Sequence, residues 1–126
     1  MKNGITFDTG ALIALERRGQ RIRQVLERAM EQKVRITVPA AVVTEWWRSR
    51  NDIRERILAA VRVEPLSESL ARVAGEALAA VKGATPIDAI VMASAAQRGD
   101  VVYTADVADL TRLAGYFRAV RVLGIG

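Results

Sequence analysis

Short apolar runs alternate with amphipathic stretches along the whole chain. Ile5-Thr6-Phe7-Asp8 reads as a short strand, and Ala11 to Arg17 as a helix. From Gln20 to Gln32 the apolar residues Ile22, Val25, Leu26, Ala29 and Met30 recur at helical spacing, with arginines on the other face. That stripe is expected in the core. Val34 to Val38 alternates like a strand, and Pro39 suits the first turn of a helix running to about Arg50. Asp52 is placed to cap a helix from Ile53 to Ala60. Val61 to Glu64 forms a third strand. Ser67 opens a helix whose stripe is Leu70, Val73, Ala74, Ala77, Leu78 and Val81, and Gly83 ends it.

Thr85 and Pro86 have the residue types of an N-cap and a first helical position. The helix that follows, Ile87 to Arg98, is apolar on nearly every side, so deep burial is expected before Gly99 stops it. Val101 to Thr104 is a strand, Ala108 to Ala114 a helix, and Ala119 to Leu123 the last strand. The order β-α-α-β-α-α-β-α-α-β-α-β predicts an α/β fold: an open, mostly parallel sheet with helices on both faces.

Composition narrows the chemistry. The 126 residues, 51% of them apolar, fit one domain with a real core, and no linker, repeat or low-complexity segment interrupts them. There is no Cys and no His, which excludes a Ser-His-Asp triad, a Cys-His pair and a His/Cys zinc site. Any metal must sit on oxygen, which favours Mg²⁺ or Mn²⁺. Without cysteine there is no disulfide framework, and a cytoplasmic setting is expected. The amino terminus from Met1 does not read as a leader peptide, and no apolar run approaches the ~20 residues of a membrane span. The formal charge is +5, mostly from arginine, the side chain suited to paired contacts with phosphate.

The acids complete the pattern. Asp8 ends the first strand and Asp106 follows the fourth. In a parallel sheet those ends share one edge, and the crossover helices begin there. Asp88 sits in the first turn of one such helix and Glu45 one or two turns into another. Four carboxylates from distant parts of the chain therefore converge where open α/β sheets bind ligands. Like charges so gathered call for a divalent cation, which also orients and acidifies a water. Each acid has a plainer reading: Asp8 as a helix cap, Asp88 as half of a capping box with Thr85, Glu45 as a solvated side chain, Asp106 and Asp109 as turn or cap residues.

The residues around these acids resemble PIN-domain nucleases, in particular the VapC toxins of toxin–antitoxin pairs. Asp8-Thr9-Gly10-Ala11-Leu12-Ile13 is similar to the first motif of that family, Val38-Pro39-Ala40 with Thr44-Glu45 to the second, Pro86-Ile87-Asp88-Ala89-Ile90 to the third, and Val102-Tyr103-Thr104-Ala105-Asp106 through Asp109-Leu110 to the fourth. The resemblance implies a five-stranded parallel sheet and a Mg²⁺- or Mn²⁺-dependent endoribonuclease. Asp8 and Asp88 would be the most direct metal ligands, Asp106 would complete the site, and Glu45 would bind metal or hold its water. Thr104 and Asp109 would support them, with Asp106 favoured over Asp109 because it directly follows the strand. Gly10 departs from the Ser or Asn frequent in the family, so the side-chain contact the resemblance would imply there is not expected of this chain. The resemblance also implies a homodimer and a cognate antitoxin whose peptide covers the acidic cleft.

Two features fall outside the motifs. Trp46 and Trp47 point ~100° apart on a helix, so one is expected to enter the core and the other an interface; both are candidates for a partner-binding groove beside Glu45. Arg48, Arg50, Arg54 and Arg56 form a basic stretch for RNA phosphates or simply a solvated face. The functional expectation is hydrolysis of RNA by metal-activated water. The alternatives are a catalytically silent PIN-like module that binds RNA or protein, and another Mg²⁺-dependent phosphoryl-transfer enzyme. The last lacks both an Asp-x-Asp opening and a Gly-Lys-Ser/Thr phosphate loop.

Overall fold

The computed structural model describes residues 4–125. Met1, Lys2, Asn3 and Gly126 lie outside the described residues, and with them the start of the terminus read as free of a leader. The chain runs β1 (Ile5–Phe7), α1 (Thr9–Glu16), α2 (Gln20–Glu31), β2 (Ile36–Pro39), α3 (Ala40–Trp46), α4 (Asp52–Ala60), β3 (Arg62–Glu64), α5 (Glu68–Ala80), α6 (Pro86–Arg98), β4 (Val101–Thr104), α7 (Val107–Ala114) and β5 (Arg121–Gly124). This is the expected order of elements. The five strands form one sheet in the order β3-β2-β1-β4-β5, and every pairing is parallel. The strands are joined only through helices, which a parallel sheet requires.

The core lies on both faces of β1. Thr6 faces α6, where its hydroxyl meets Arg98, whereas Ile5 borders a cleft with α2 on the other side. Phe7, Val38 and Val102 are fully buried in the three central strands. α6 crosses β1, β2 and β4 beneath α5. Ala89, Val91, Met92, Ala93 and Ala95 are all buried, as its apolar composition predicts. Thr85 caps it, Pro86 opens it, and Gly99 closes it in the left-handed conformation at φ 70°. Among the described residues no helix is long and apolar enough to cross a membrane.

Several expectations need correction. α3 ends at Trp46, not near Arg50, and Trp47 is already extended. In the connection that follows, Arg54 Nη1 donates to Ser49 O at 2.6 Å and to Ser49 Oγ at 3.0 Å, which ties the segment to the start of α4. Arg48 and Arg50 therefore sit on a connecting segment. Asn51, not Asp52, caps α4, its Oδ1 accepting Arg54 N–H at 2.7 Å. Pro39 ends β2 and precedes α3 instead of lying in its first turn. Met30 is 61% exposed rather than part of the core. Measured round α2 from Ile22, Val25, Leu26 and Ala29 stay within ~60°, whereas Met30 lies ~80° away.

Candidate active site

Asp8 follows Phe7 directly, so it leaves the sheet at the carboxyl end of β1. It is the N-cap of α1, with Oδ1 accepting Ala11 N–H at 2.8 Å. The capping reading is thus realised, yet it does not exhaust the residue. The carboxylate is only 7% exposed, and burial pushes its pKa up. Hydrogen bonds from the Thr104 hydroxyl and from Ala11 N–H pull it back, and the charge of Asp88 pushes it up again.

Asp88 stands in the first turn of α6, where Thr85 Oγ1 accepts its N–H at 3.2 Å. Its pKa is also raised, first by burial, against a lowering bond with Thr85. The charges of Asp109, Glu45 and Asp106 add to the rise, Asp109 the most. Five acids therefore gather at the edge where β1 and β4 end, with Asp88 feeling the charges of Asp109, Glu45 and Asp106 and acting in turn on Asp8. Among the described residues, none of Asp8, Glu45, Asp88, Asp106 and Asp109 forms an ion pair with Arg or Lys.

The β4–α7 turn places the last acids. Thr104 is fully buried, and its Oγ1 accepts Asp106 N–H at 2.9 Å while the hydroxyl serves Asp8. One side chain thereby ties the two strand ends together. Asp106 is the N-cap of α7, accepting Asp109 N–H at 3.3 Å, and both acids are exposed. The bond to Asp106 raises the pKa of Asp109. Glu45 is exposed on α3, and its Oε1 accepts the Thr9 hydroxyl at 2.6 Å. Thr9, which sequence reasoning passed over, therefore orients Glu45; its place beside Asp8 was the available signal.

Gly10 gains a physical reason. A Cβ there would lie 2.9 Å from Ala105 Cβ and 3.3 Å from Ala105 N. The missing side chain lets the β4–α7 turn close on α1. Gly10→Ala is expected to destabilise the protein by ~1–3 kcal/mol through overpacking. Adding Ala105→Gly should recover most of that loss in a denaturant titration; a double variant as weak as the single would refute the contact.

All candidate ligands are oxygen donors, a chemistry that fits Mg²⁺ or Mn²⁺. Among the described residues no group of three acids closes on a common point in a way that would hold an ion. That does not disqualify Mg²⁺, which is usually bound by one or two carboxylates and keeps several waters.

The tryptophans and arginines divide. Trp46 is 3% exposed and donates Nε1–H to Glu16 Oε1 at 2.9 Å, so it belongs to the core and not to an interface. Trp47 packs edge-to-face on it and stays partly accessible. Arg54 is mostly buried against Glu16 at 2.8 Å and is neither a phosphate contact nor a solvated face. Arg50 is 81% exposed beside Glu55. Arg48 borders a groove that also includes Thr9 and Glu45. A cleft of about 880 Å³ lies elsewhere, between α2 and the sheet face of Ile5, Val101 and Tyr103, with no carboxylate on its walls among the described residues.

An open parallel α/β sheet with unpaired acids along the ends of its central strands defines the class. Within it, the PIN-domain family model matches residues 5–116, and the chain belongs to that family. No curated protein matches the chain at a significant level. Solved structures do. The DNA-bound VapBC of Salmonella typhimurium aligns with a TM-score of 0.76 at 16% identity, over 99% of this chain and 100% of that one. FitAcB of Neisseria gonorrhoeae gives 0.67 at 19% identity, over 94% and 96%. A toxin–antitoxin complex from Klebsiella pneumoniae gives 0.66 at 18%, over 93% and 95%. At these identities the likeness is one of fold.

Proposed function

We propose that this chain is a Mg²⁺- or Mn²⁺-dependent endoribonuclease and the toxin of a toxin–antitoxin pair. The observation that carries the reading is the set of unpaired, mutually repelling carboxylates at the carboxyl edge of a PIN-domain sheet. Structural neighbours that are VapBC or toxin–antitoxin complexes support the toxin assignment. Asp8 and Asp88 would hold the ion, with Asp106 and Glu45 completing its surroundings. Thr104 fixes Asp8 and the Asp106 backbone, and Thr9 fixes Glu45. Asp109, whose charge acts on Asp88 more strongly than that of Asp106, shares the fourth position with it. When bound, the ion would neutralise the attacked phosphate and acidify a water. The same reading brings a cognate antitoxin protein that covers the acids, a homodimer and a cytoplasmic setting.

Cleavage of structured RNA and single-stranded RNA by the purified protein, in Mg²⁺ and in EDTA, tests it. Turnover undiminished in EDTA would overturn it. The pKa directions supply a second test. Asp8 and Asp88 titrate higher in the folded chain than in the unfolded one, so the folded form holds their protons more tightly. Their contribution to stability is fully present below the unfolded pKa and is lost as pH rises through the raised value. At neutral pH the metal-free protein therefore carries the cost of buried and, to a lesser extent, mutually repelling carboxylates, which Mn²⁺ would relieve. Mn²⁺ at ~100 times its Kd should add ~2.7 kcal/mol of stability. The gain should shrink toward acid pH, where protons compete for the ligands. A melting temperature indifferent to Mn²⁺ at neutral pH would count against the site.

A further inference from the structure

Beside the acids lies a groove of about 510 Å³ between α1, α3 and the connection that follows α3. That volume is within the ~300–1,000 Å³ of ligand-sized clefts. Thr9 and Glu45, joined by their 2.6 Å hydrogen bond, form its acidic end. Ile13 and the buried Trp46 form an apolar floor, and Arg17 and Arg48 supply exposed cationic walls. Arg17 lies just past the end of α1, a helix of 8 residues and hence ~12 Å long. The arginine end is thus separate from the acids that Thr9 adjoins.

The charges of this groove are sorted. Glu16, an acid that would repel an anion here, is consumed by Arg54 at 2.8 Å and by Trp46 Nε1–H at 2.9 Å. Those bonds hold its pKa below the ordinary carboxylate range. Arg54 is spent on Glu16 and Ser49. Arg48 has no side-chain hydrogen bond or ion pair among the described residues, and Arg17 is engaged only by the nearby charge of Glu16. Arg48, and Arg17 with no side-chain hydrogen bond or ion pair of its own among the described residues, are left lining one channel that opens on the acidic edge. Arg50, given the same role as Arg48 by the sequence pattern, points away to Glu55.

We propose that this groove is a phosphate-binding arm of the active site, in which Arg17 and Arg48 grip the backbone of single-stranded RNA next to the bond to be cut. The proposal takes its ligand from the nuclease reading. Charge complementarity selects the occupant: a strand with a charge at every nucleotide meets Arg17 and Arg48 in a channel whose Glu16 is neutralised and whose other acid, Glu45, stands at the end that joins the proposed metal site. An acidic peptide is the competing occupant, and the test separates the two.

Binding of a fluorescein-labelled single-stranded oligoribonucleotide is measured by anisotropy in EDTA across a KCl series. The Arg17→Gln, Arg48→Gln double variant is expected to bind about tenfold or more weakly at low salt, and its log–log salt slope to fall by ~0.7 for each phosphate no longer neutralised. Arg50→Gln should match the parent in both, and Arg48→Lys should retain part of the affinity. Unchanged affinity and slope in the double variant would overturn the proposal. So would an equal loss in Arg50→Gln, or a loss confined to a labelled polyglutamate peptide with RNA binding intact. Because this measurement needs no turnover, a failure of the parent protein to cleave RNA in Mg²⁺ counts against the nuclease reading alone.

Discussion

Asp8→Asn is expected to lower RNA cleavage by about 10³-fold while raising the melting temperature of the metal-free protein. The two halves of that result have separate causes. Losing a ligand that stabilises transition-state charge by several kcal/mol, ~4 for this purpose, costs three powers of ten in rate. Stability moves the other way because Asp8 is buried and its pKa is raised, so the ionised carboxylate is a cost to the folded state at neutral pH. Asn keeps the cap on Ala11 N–H, since its side-chain oxygen is as good an N-cap acceptor. Asp88→Asn should behave similarly, with a smaller stability gain because Asp88 is less buried. Cleavage assays and thermal scans on the same preparations decide the matter. Full activity in the Asn variants would end the nuclease reading; a lowered melting temperature would show that the carboxylates are not in conflict.

Arg98→Met should be the most destabilising single change away from the acids, by ~3–5 kcal/mol. Arg98 ends α6 and reaches under the sheet. Its Nε donates to Asp100 Oδ2 at 2.9 Å, Nη1 to Glu64 Oε2 at 2.7 Å, and Nη2 to Thr6 Oγ1 at 3.0 Å and Ser94 Oγ at 2.9 Å. Ser94 in turn donates to Glu64 Oε1 at 2.6 Å, and Thr6 to Asp100 Oδ2 at 2.9 Å. One guanidinium thus joins β1, β3, α6 and the start of β4. Removing it strands Asp100, 3% exposed, as a buried charge without a cation. Against a typical total of ~5–15 kcal/mol, that loss is a large fraction of the fold's stability. Urea titration measures it. A loss under ~1 kcal/mol would mean that water replaces the guanidinium, as at surface pairs. Asp100→Asn, which retains an acceptor for Arg98 and Thr6, should cost less.

The difference between these two clusters shows what could be read in advance. Asp8, Asp88 and Asp106 each sit at a local landmark: the end of an apolar strand run, the first turn after Thr85-Pro86, the turn after Thr104. Hydrophobic period and turn chemistry locate such landmarks, and the rule that parallel strands end together brings the acids to one edge. The Arg98 cluster has no such landmark. Thr6 and Asp100 are 94 residues apart, and Glu64 and Ser94 are 30 apart. Nothing in the spacing of polar residues announces that they meet.

The same division runs through the smaller outcomes. Helical geometry predicts that the adjacent tryptophans part, but Trp47 lies past the end of α3 and packs edge-to-face on Trp46, which alone enters the core and meets Glu16 through Nε1. The basic stretch after α3 is uniform along the chain. Packing gives Arg54 to Glu16 and Arg50 to Glu55, and leaves Arg48 free. Met30 belongs to an apolar stripe by spacing and lies outside it by angle.

By itself, then, the sequence determined the order of elements, the parallel sheet and the edge on which Asp8, Glu45, Asp88 and Asp106 collect. Those features follow from periodicities and caps that act within a few residues of one another. Only the tertiary structure decided which arginines are consumed as ion-pair partners, why position 10 is glycine, and that Asp109 as well as Asp106 raises the pKa of Asp88. Each of those depends on what stands across a gap from the residue. A one-dimensional pattern records which side chains are available, and the fold alone sets their distances.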